Sequence, residues 1–321
     1  MKTRRLLLAL LAGTPFSFGA RAQSYPSRPV TFVVPFGAAA PADILARALA
    51  QGVAEESGQA VVVDNKAGAN GFIGAQFVAN APPDGYTVLI SANSTQILNN
   101  LLFKKVPYDG IKDFVPLAPV CGGALVLTVS AKSQFRTMAE LIDFARKNPG
   151  KLTVGSHSPA TRLAGELFQQ LAGIKMLHVP YKALGPGVTD QMGGQIDVLF
   201  PPPDFIAPHL KAGNLRALGV TGKQRMVSLM PEVPTIEEAG LANYELTYWY
   251  GAWMPKGTPP AVAQRMRELI TRAVAKPQVL KFFAANAFEP MQMNREEFAR
   301  FQESEVDKWG TVMKKAGIVA E

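Results

Sequence analysis

The order of apolar runs along the chain predicts an α/β protein of two lobes, each a sheet covered by helices. Three observations carry this expectation. Runs rich in Val, Ile and Leu alternate with helix-period segments from Val30 onward, and continuous apolar runs of strand length are the mark of buried βαβ strands. The alternation lapses near 122–127 and 245–251, where strand follows strand with no helix between; these are read as crossovers between lobes. The 321 residues, 48% of them hydrophobic, also exceed what one small core needs.

In the first series, Val30–Phe36 leads to a helix over Asp43–Ser57, and Ala60–Asp64 leads through AGANG to a helix over Phe72–Asn80. Thr87–Ser91 then passes through Ala92, Asn93 and Ser94 into another helical stretch. The second series starts after Pro116–Val120 with a strand over Ala124–Ser130 and a helix over Thr137–Asn148, closed by Pro149-Gly150. Strands at Leu152–Ser156 and Met176–Val179 flank a helix over Thr161–Leu171, for which Gly173 is a stop signal. YKALGPG reads as a loop before a helix over Val188–Met192, followed by a strand at Ile196–Phe200, PPPDF, a helix to Ala212 and a strand at Leu215–Thr221. From Pro259 to Glu321 the pattern is mostly helical, with Phe298, Phe301 and Trp309 marking buried faces. The expected division is a signal peptide at 1–22, one lobe from 23–124 plus 250–321, and a second from 125–249.

Residues 1–22, MKTRRLLLALLAGTPFSFGARA, carry a basic start, an apolar stretch and Ala20-Arg21-Ala22 before Gln23. That is the layout of a secretory signal cleaved after Ala22, and it predicts a soluble protein of the periplasm. Thr3-Arg4-Arg5-Leu6 leaves both the general and the twin-arginine export routes open. The net charge of +8 includes Lys2, Arg4, Arg5 and Arg21, so the mature chain stands near +4. With no aromatic-interleaved basic run, this predicts no nucleic-acid partner. A single cysteine, Cys121, excludes an intramolecular disulfide.

The chain lacks GxSxG, HExxH, P-loop and Cys/His zinc motifs, and its three histidines have no metal-ligand spacing. Ser156 and His157 are adjacent in sequence and so poorly placed to act as nucleophile and base. Gly68, Gly71 and Gly74 follow GxxGxxG rather than the dinucleotide spacing, and are read as a tight turn into a helix. No catalytic set, metal or cofactor is expected. What recurs is a strand end, a loop of small residues and a helix start, at Gly37–Asp43, Ala92–Thr95, Ser156–Thr161 and Ala183–Val188. Helix N-termini offer N–H groups to anions, and open α/β sheets bind ligands at this edge. A cleft for a carboxylate is the expectation, with tight packing of small side chains as the structural alternative.

Several stretches carry a resemblance: YPSRPVTFVVPF (25–36), VVVDNKAGANGFIGA (61–75), VPYDGIKDFVPLAPV (106–120), HVPYKALGPGVTDQMGGQIDVLF (178–200) and PEVPTIEEAGL (231–241). In these the chain resembles the Bug-family extracytoplasmic solute receptors of tripartite tricarboxylate transporters. The resemblance implies a two-lobed, Venus-flytrap periplasmic binding protein, monomeric, that closes on a carboxylated small molecule and passes it to membrane permease subunits. It places ligand contacts on the loops Phe36 to Asp43 and Ser156 to Thr161, and cleft-lining roles on Asn93, Ser94, Tyr181, Gly187 in the Gly185–Val188 turn, and Asp204.

On that basis Ala40, Ala42 and Asp43 would present N–H groups or orient the first helix turn, Asp43 acting alternatively as a cap. Ser156, Ser158 and Thr161 would offer hydroxyls from the second lobe, with His157 either a ligand partner or a buried, satisfied imidazole. Asp204 would meet an amine or hydroxyl, or else cap its loop; Tyr248, Trp249 and Tyr250 would flank a ring or pack the core. The family's first loop is richer in Pro and Gly than Gly37–Asp43, and Pro159 and Arg162 stand where small polar residues and His are usual. These departures favour a flatter, less polar acid such as phthalate or terephthalate over citrate. A sensor-kinase partner in place of a permease, and an enzyme acting on small acids, are the competing expectations.

Overall fold

In the computed structural model, which describes residues 25–227 and 229–320, the chain opens with β1 (Val30–Val34), α1 (Pro41–Ser57) and β2 (Val61–Asn65). The signal-peptide expectation for 1–22 lies outside the described residues. Next come α2 (Phe72–Ala79), β3 (Thr87–Ala92), the short α3 (Asn99–Leu102) and the long β4 (Phe114–Ala124). The second lobe follows as β5 (Val126–Ser130), α4 (Met138–Lys147), β6 (Thr153–Ser156), α5 (Pro159–Ala172), β7 (Leu177–Pro180), α6 (Leu184–Met192), α7 (Pro203–Lys211) and β8 (Leu215–Val220). The chain returns through β9 (Thr247–Pro255) and closes with α8 (Pro260–Val274), α9 (Pro277–Asn286), β10 (Glu289–Pro290) and α10 (Arg295–Ala316).

The larger sheet has the order β10-β4-β9-β3-β1-β2. β1 pairs in parallel with both β2 and β3, the signature of βαβ crossovers, whereas β9 runs antiparallel between β3 and β4. In the second lobe β5 pairs with β8 and β6 with β7. Residues 198 and 199 join the two ladders by bridges from Leu199 to Thr128 and from Val198 to Val154. The strand expected at Ile196–Phe200 is therefore a short connector.

Local chemistry accounts for the helix starts. Thr137 with Glu140 and Asn294 with Glu297 form capping boxes at α4 and α10. α5 begins two residues earlier than expected, because Ser158 caps it and Pro159 occupies the first position, where its missing N–H costs nothing. α6 begins at Leu184 rather than Val188. Gly185, Pro186 and Gly187 look like a loop in sequence, but the first helical turn has unbonded N–H groups in any case and tolerates proline.

α10 is tied to β9 through buried polar contacts. Trp249 and Trp309 both donate their indole N–H to Oε2 of Glu305, at 3.3 and 3.0 Å, while Trp253 donates to Gln302 at 2.8 Å. Lys308 pairs with Glu305 at 3.5 Å, so the buried carboxylate is compensated. Across the lobes, Gln170 of α5 donates to the Val312 carbonyl of α10.

The chain passes between the lobes at Leu125 and near Leu246, and one buried residue holds both passages. The Thr221 hydroxyl accepts from the Leu125 N–H and donates to the Leu246 carbonyl, each at 2.8 Å. Its backbone N–H donates to Leu125 O at 2.9 Å, and its carbonyl accepts from Leu246 N–H at 2.8 Å. Thr221→Val keeps the shape but leaves a buried donor and a buried acceptor unmatched, a loss of about 2–3 kcal/mol. Thermal unfolding should show a lower midpoint for Thr221→Val than for Thr221→Ser, which keeps the hydroxyl; equal midpoints would show that the hydroxyl does not hold the crossings.

Candidate functional site

Between the lobes lies a cavity of about 470 Å³. Its walls come from the carboxyl ends of strands on both sides, as open α/β sheets require. From the first lobe, Pro35, Phe36 and Gly37 follow β1, Ala92 ends β3, and Asn93 and Ser94 follow it. After β3 the chain turns through a π-helical segment, Ser94–Leu98, whose wider turn is a common feature of binding walls. Asn93 is only 3% exposed yet borders the cavity. The buried Asn99 amide donates to the Asn70 carbonyl at 2.9 Å and to the Tyr108 hydroxyl at 3.2 Å, fastening the Gly68–Gly71 turn to this segment. That turn has positive φ at Gly68, Ala69, Asn70 and Gly71. Sequence reasoning set it aside as a bland turn; it is a tight turn, and Gly68, Asn70 and Gly71 also line the cavity.

The opposite wall is the N-terminal turn of α5. His157, Ser158, Pro159, Ala160 and Thr161 all border the cavity. Thr161 Oγ1 accepts from the N–H groups of His157 and Ser158 at 3.1 and 3.0 Å, which fixes the turn. The hinge end is formed by Leu125, Pro202, Tyr248 and Tyr250. Trp249 points the other way, into the core against Phe298 and Phe301, as strand alternation dictates.

Six of the expected residues therefore meet at the cavity: Phe36, Asn93, Ser94, His157, Ser158 and Thr161. Seven do not line it, for identifiable reasons. The Ala40 N–H donates to Gly37 O at 3.2 Å and the Asp43 N–H to Ala40 O at 2.9 Å, so these amides are engaged within their own turn. Ala42 lies on the buried face of α1. The Asp43 carboxylate accepts from Ala39 N–H at 2.8 Å and pairs with Arg47 at 2.9 Å, a capping role. Burial works to raise the Asp43 carboxyl, but hydrogen bonds from Arg47, Ala39 and Asn65 outweigh it and hold it below the ordinary range.

Ser156, Tyr181 and Gly187 belong to a neighbouring group behind the α5 turn. Ser156 Oγ lies 2.7 Å from His178 Nε2. Tyr181 donates to Asp190 at 2.7 Å, and its ring covers Gly187, where a Cβ would sit 3.4 Å away. Asp204 stands in the first turn of α7, two residues beyond Pro202, with hydrogen bonds from its own N–H and that of Phe205. Protein crowding raises its carboxyl above the ordinary range despite those bonds, and its charge reaches Tyr248 and Tyr250, adding to the burial that raises both phenols. Both tyrosines are uncharged donors at neutral pH.

A cleft of this kind, walled by strand-end loops of two α/β lobes joined at paired crossings, defines a two-lobed solute-binding protein. Comparison with known proteins supplies the family. The model for the tripartite tricarboxylate transporter family receptor matches residues 45–318. The chain belongs to that family of extracytoplasmic solute receptors. It is 38% identical over 311 residues to the UPF0065 protein in the tcbD-tcbE intergenic region of Pseudomonas sp. strain P51, covering 95% of this chain and 92% of that one. Rpa4515 of R. palustris, solved with adipate, is 31% identical with a TM-score of 0.79, covering 92% of this chain and 100% of that one. The periplasmic binding protein BugD is 30% identical with a TM-score of 0.75 and the same coverage, 92% and 100%.

Two measurements test the geometry of the walls. Ala39 holds φ at +64° on an exposed loop, a left-handed conformation that glycine adopts without strain. Ala39→Gly should therefore raise stability by roughly 0.5–1 kcal/mol in denaturant titration; a loss would mean that the methyl supports the turn.

Burial lowers the proton affinity of His157, and burial with the nearby Arg162 charge lowers that of His178. The unfolded chain thus takes up protons first as pH falls through about 6.5, so this contribution is full above about pH 7 and is lost below it. The unfolding midpoint should drop between about pH 7.5 and 5.5, and His157→Gln should flatten that drop; an unchanged slope in the variant would place His157 in water.

Proposed function

We propose that this chain is a periplasmic receptor that captures a small, largely apolar carboxylate by lobe closure and delivers it to tripartite tricarboxylate-type permease subunits. The observation that carries the reading is the interlobe cavity, whose two walls bring amide and hydroxyl groups of Asn93, Ser94, Ser158 and Thr161 to face one space. The Asn93 amide and the Ser94 and Ser158 hydroxyls can donate to a carboxylate without needing a cation, while Thr161, whose hydroxyl donates to the Ser158 carbonyl at 3.0 Å, holds the turn, and the α5 N-terminus adds favourable dipole charge. Phe36, Leu125, Tyr248 and Tyr250 offer apolar area to the rest of the ligand, which supports an aromatic acid as the body of that ligand. The adipate-bound relative supports the carboxylate class.

The lobes are taken as 23–124 plus 250–321 and 125–249, with the hinge at the crossings held by Thr221. Closure would bury the ligand between them, the ligand shifting the population toward the closed form in proportion to its extra contacts there. Family membership supports a receptor rather than a catalyst.

A thermal-shift screen of residues 23–321 against aliphatic and aromatic acids tests the reading. At a thousand times Kd a ligand adds roughly 4 kcal/mol to folded-state stability, a rise of several degrees. A shift with an acid that is recovered unchanged is the expected result. Conversion of the acid would show an enzyme instead, and no shift with any acid would overturn the proposal.

A further inference from the structure

The phenols at the hinge end narrow the ligand further, granted the receptor reading above. All seven tyrosines of the chain lie within the described residues, and five of them hydrogen-bond through the hydroxyl. Tyr25, Tyr108 and Tyr244 donate to the carbonyls of Gly85, Thr95 and Ala164, Tyr181 donates to Asp190, and Tyr86 shares a bond with Ser27. Only Tyr248 and Tyr250 have hydroxyls without a hydrogen-bond partner among the described residues. They are also the two that line the interlobe cavity. Tyr250 is 9% exposed, and a buried phenol that forgoes a partner is an exception. Packing fixes where these groups stand. Both rings meet Phe288 edge-on, with centroids 5.5 and 5.6 Å away, and meet each other at 84°. A Cβ at Gly123 would fall 2.8 Å from the Tyr248 oxygen, so the glycine keeps that place open. Burial raises both phenols, which therefore keep the proton they would donate.

We infer that Tyr248 and Tyr250 are specificity-determining residues that donate to a second oxygen of the ligand, so that the cavity takes acids bearing a hydroxyl or carboxylate oxygen at the end facing the hinge. The first carboxylate meets the uncharged wall donors of Asn93, Ser94 and Ser158, and the far oxygen meets the phenols. A plain acid would strip water from both hydroxyls and offer them nothing. Sites built to bond an oxygen reject the analogue that lacks it for this reason. A hydroxyl and a carboxylate share the accepting oxygen, and matched acids tell them apart.

The test is calorimetric titration of residues 23–321 at neutral pH with two matched sets of acids. One is hexanoate, 6-hydroxyhexanoate and adipate; the other is benzoate, 4-hydroxybenzoate and terephthalate. In the set that binds more tightly, the better oxygenated acid should exceed its plain acid by roughly tenfold. That ratio should fall several-fold in Tyr248→Phe and in Tyr250→Phe, and vanish in the double variant. Neither hydroxyl bonds within the described protein, so both substitutions should leave the unfolding midpoint unchanged, whereas Tyr108→Phe, which loses its bond to the Thr95 carbonyl, should lower it. Plain acids binding as tightly as oxygenated ones would overturn the inference while leaving the receptor intact. A ratio that persists in the double variant would overturn the role of the two tyrosines. Failure of every acid to bind would remove the receptor reading itself.

Discussion

The Thr221 side chain and backbone together hold Leu125 and Leu246, the two places where the chain leaves one lobe for the other. Two strands pinned side by side resist sliding but can still bend together, so the motion left to the lobes is a rotation about the pinned pair. The cavity depends on that restriction, because its walls belong to different lobes and are held in register only through these crossings. The next residues toward the larger sheet show how the hinge reaches the ligand. Gly123 pairs with Tyr248 and Gly122 with Trp249. A Cβ at Gly123 would fall 2.8 Å from the Tyr248 ring and hydroxyl, and one at Gly122 would fall 2.9 Å from Thr247. Gly123 thus clears the space that lets Tyr248 stand at the hinge end of the cavity, and Gly122 does the same for its neighbour Thr247.

Small residues in the first loop have a different cause from the one their composition suggests. The amides of Ala39, Ala40 and Asp43 are all bonded within the turn, to Asp43, Gly37 and Ala40. The loop gives the cavity Phe36 and Gly37, while its alanines close a turn in which Ala39 takes a left-handed conformation. The α5 turn works in the same way: Ser158 and Thr161 cap each other and in doing so set a rigid wall. Binding surfaces here are by-products of well-made helix starts, which is why they need neither Lys nor Arg.

That origin explains what could be read in advance. Strand alternation is local, so the α/β architecture was legible from neighbouring residues alone, whereas the cap at Ser158, which starts α5 two residues early, was not. α6 was misplaced because glycine and proline carry opposite meanings in a loop and in a first helical turn, and only the packing of Gly187 under Tyr181 decides between them. Thr221 was not legible at all. Its partners lie 96 and 25 residues away, and a threonine at a strand end is unremarkable until those distances close. Asn99 and the Gly68–Gly71 turn share this character, their role arising from contacts across 29 residues.

α10 extends the same logic from the hinge to the ligand wall. Its middle is fixed to β9 by Glu305 and Gln302, each accepting buried indole N–H bonds. Its C-terminal part meets α5 through Gln170, and α5 begins at the cavity wall. A single long helix therefore joins the strand that bears Tyr248 and Tyr250 to the helix that bears Ser158 and Thr161. Because the Glu305 carboxylate is compensated by two indoles and Lys308, it cannot shift without leaving a buried charge exposed to an apolar surrounding. The helix is thus held firmly to the first lobe, and its join to α5 is the softer one, made by the Gln170 side-chain bond rather than by a charged cluster.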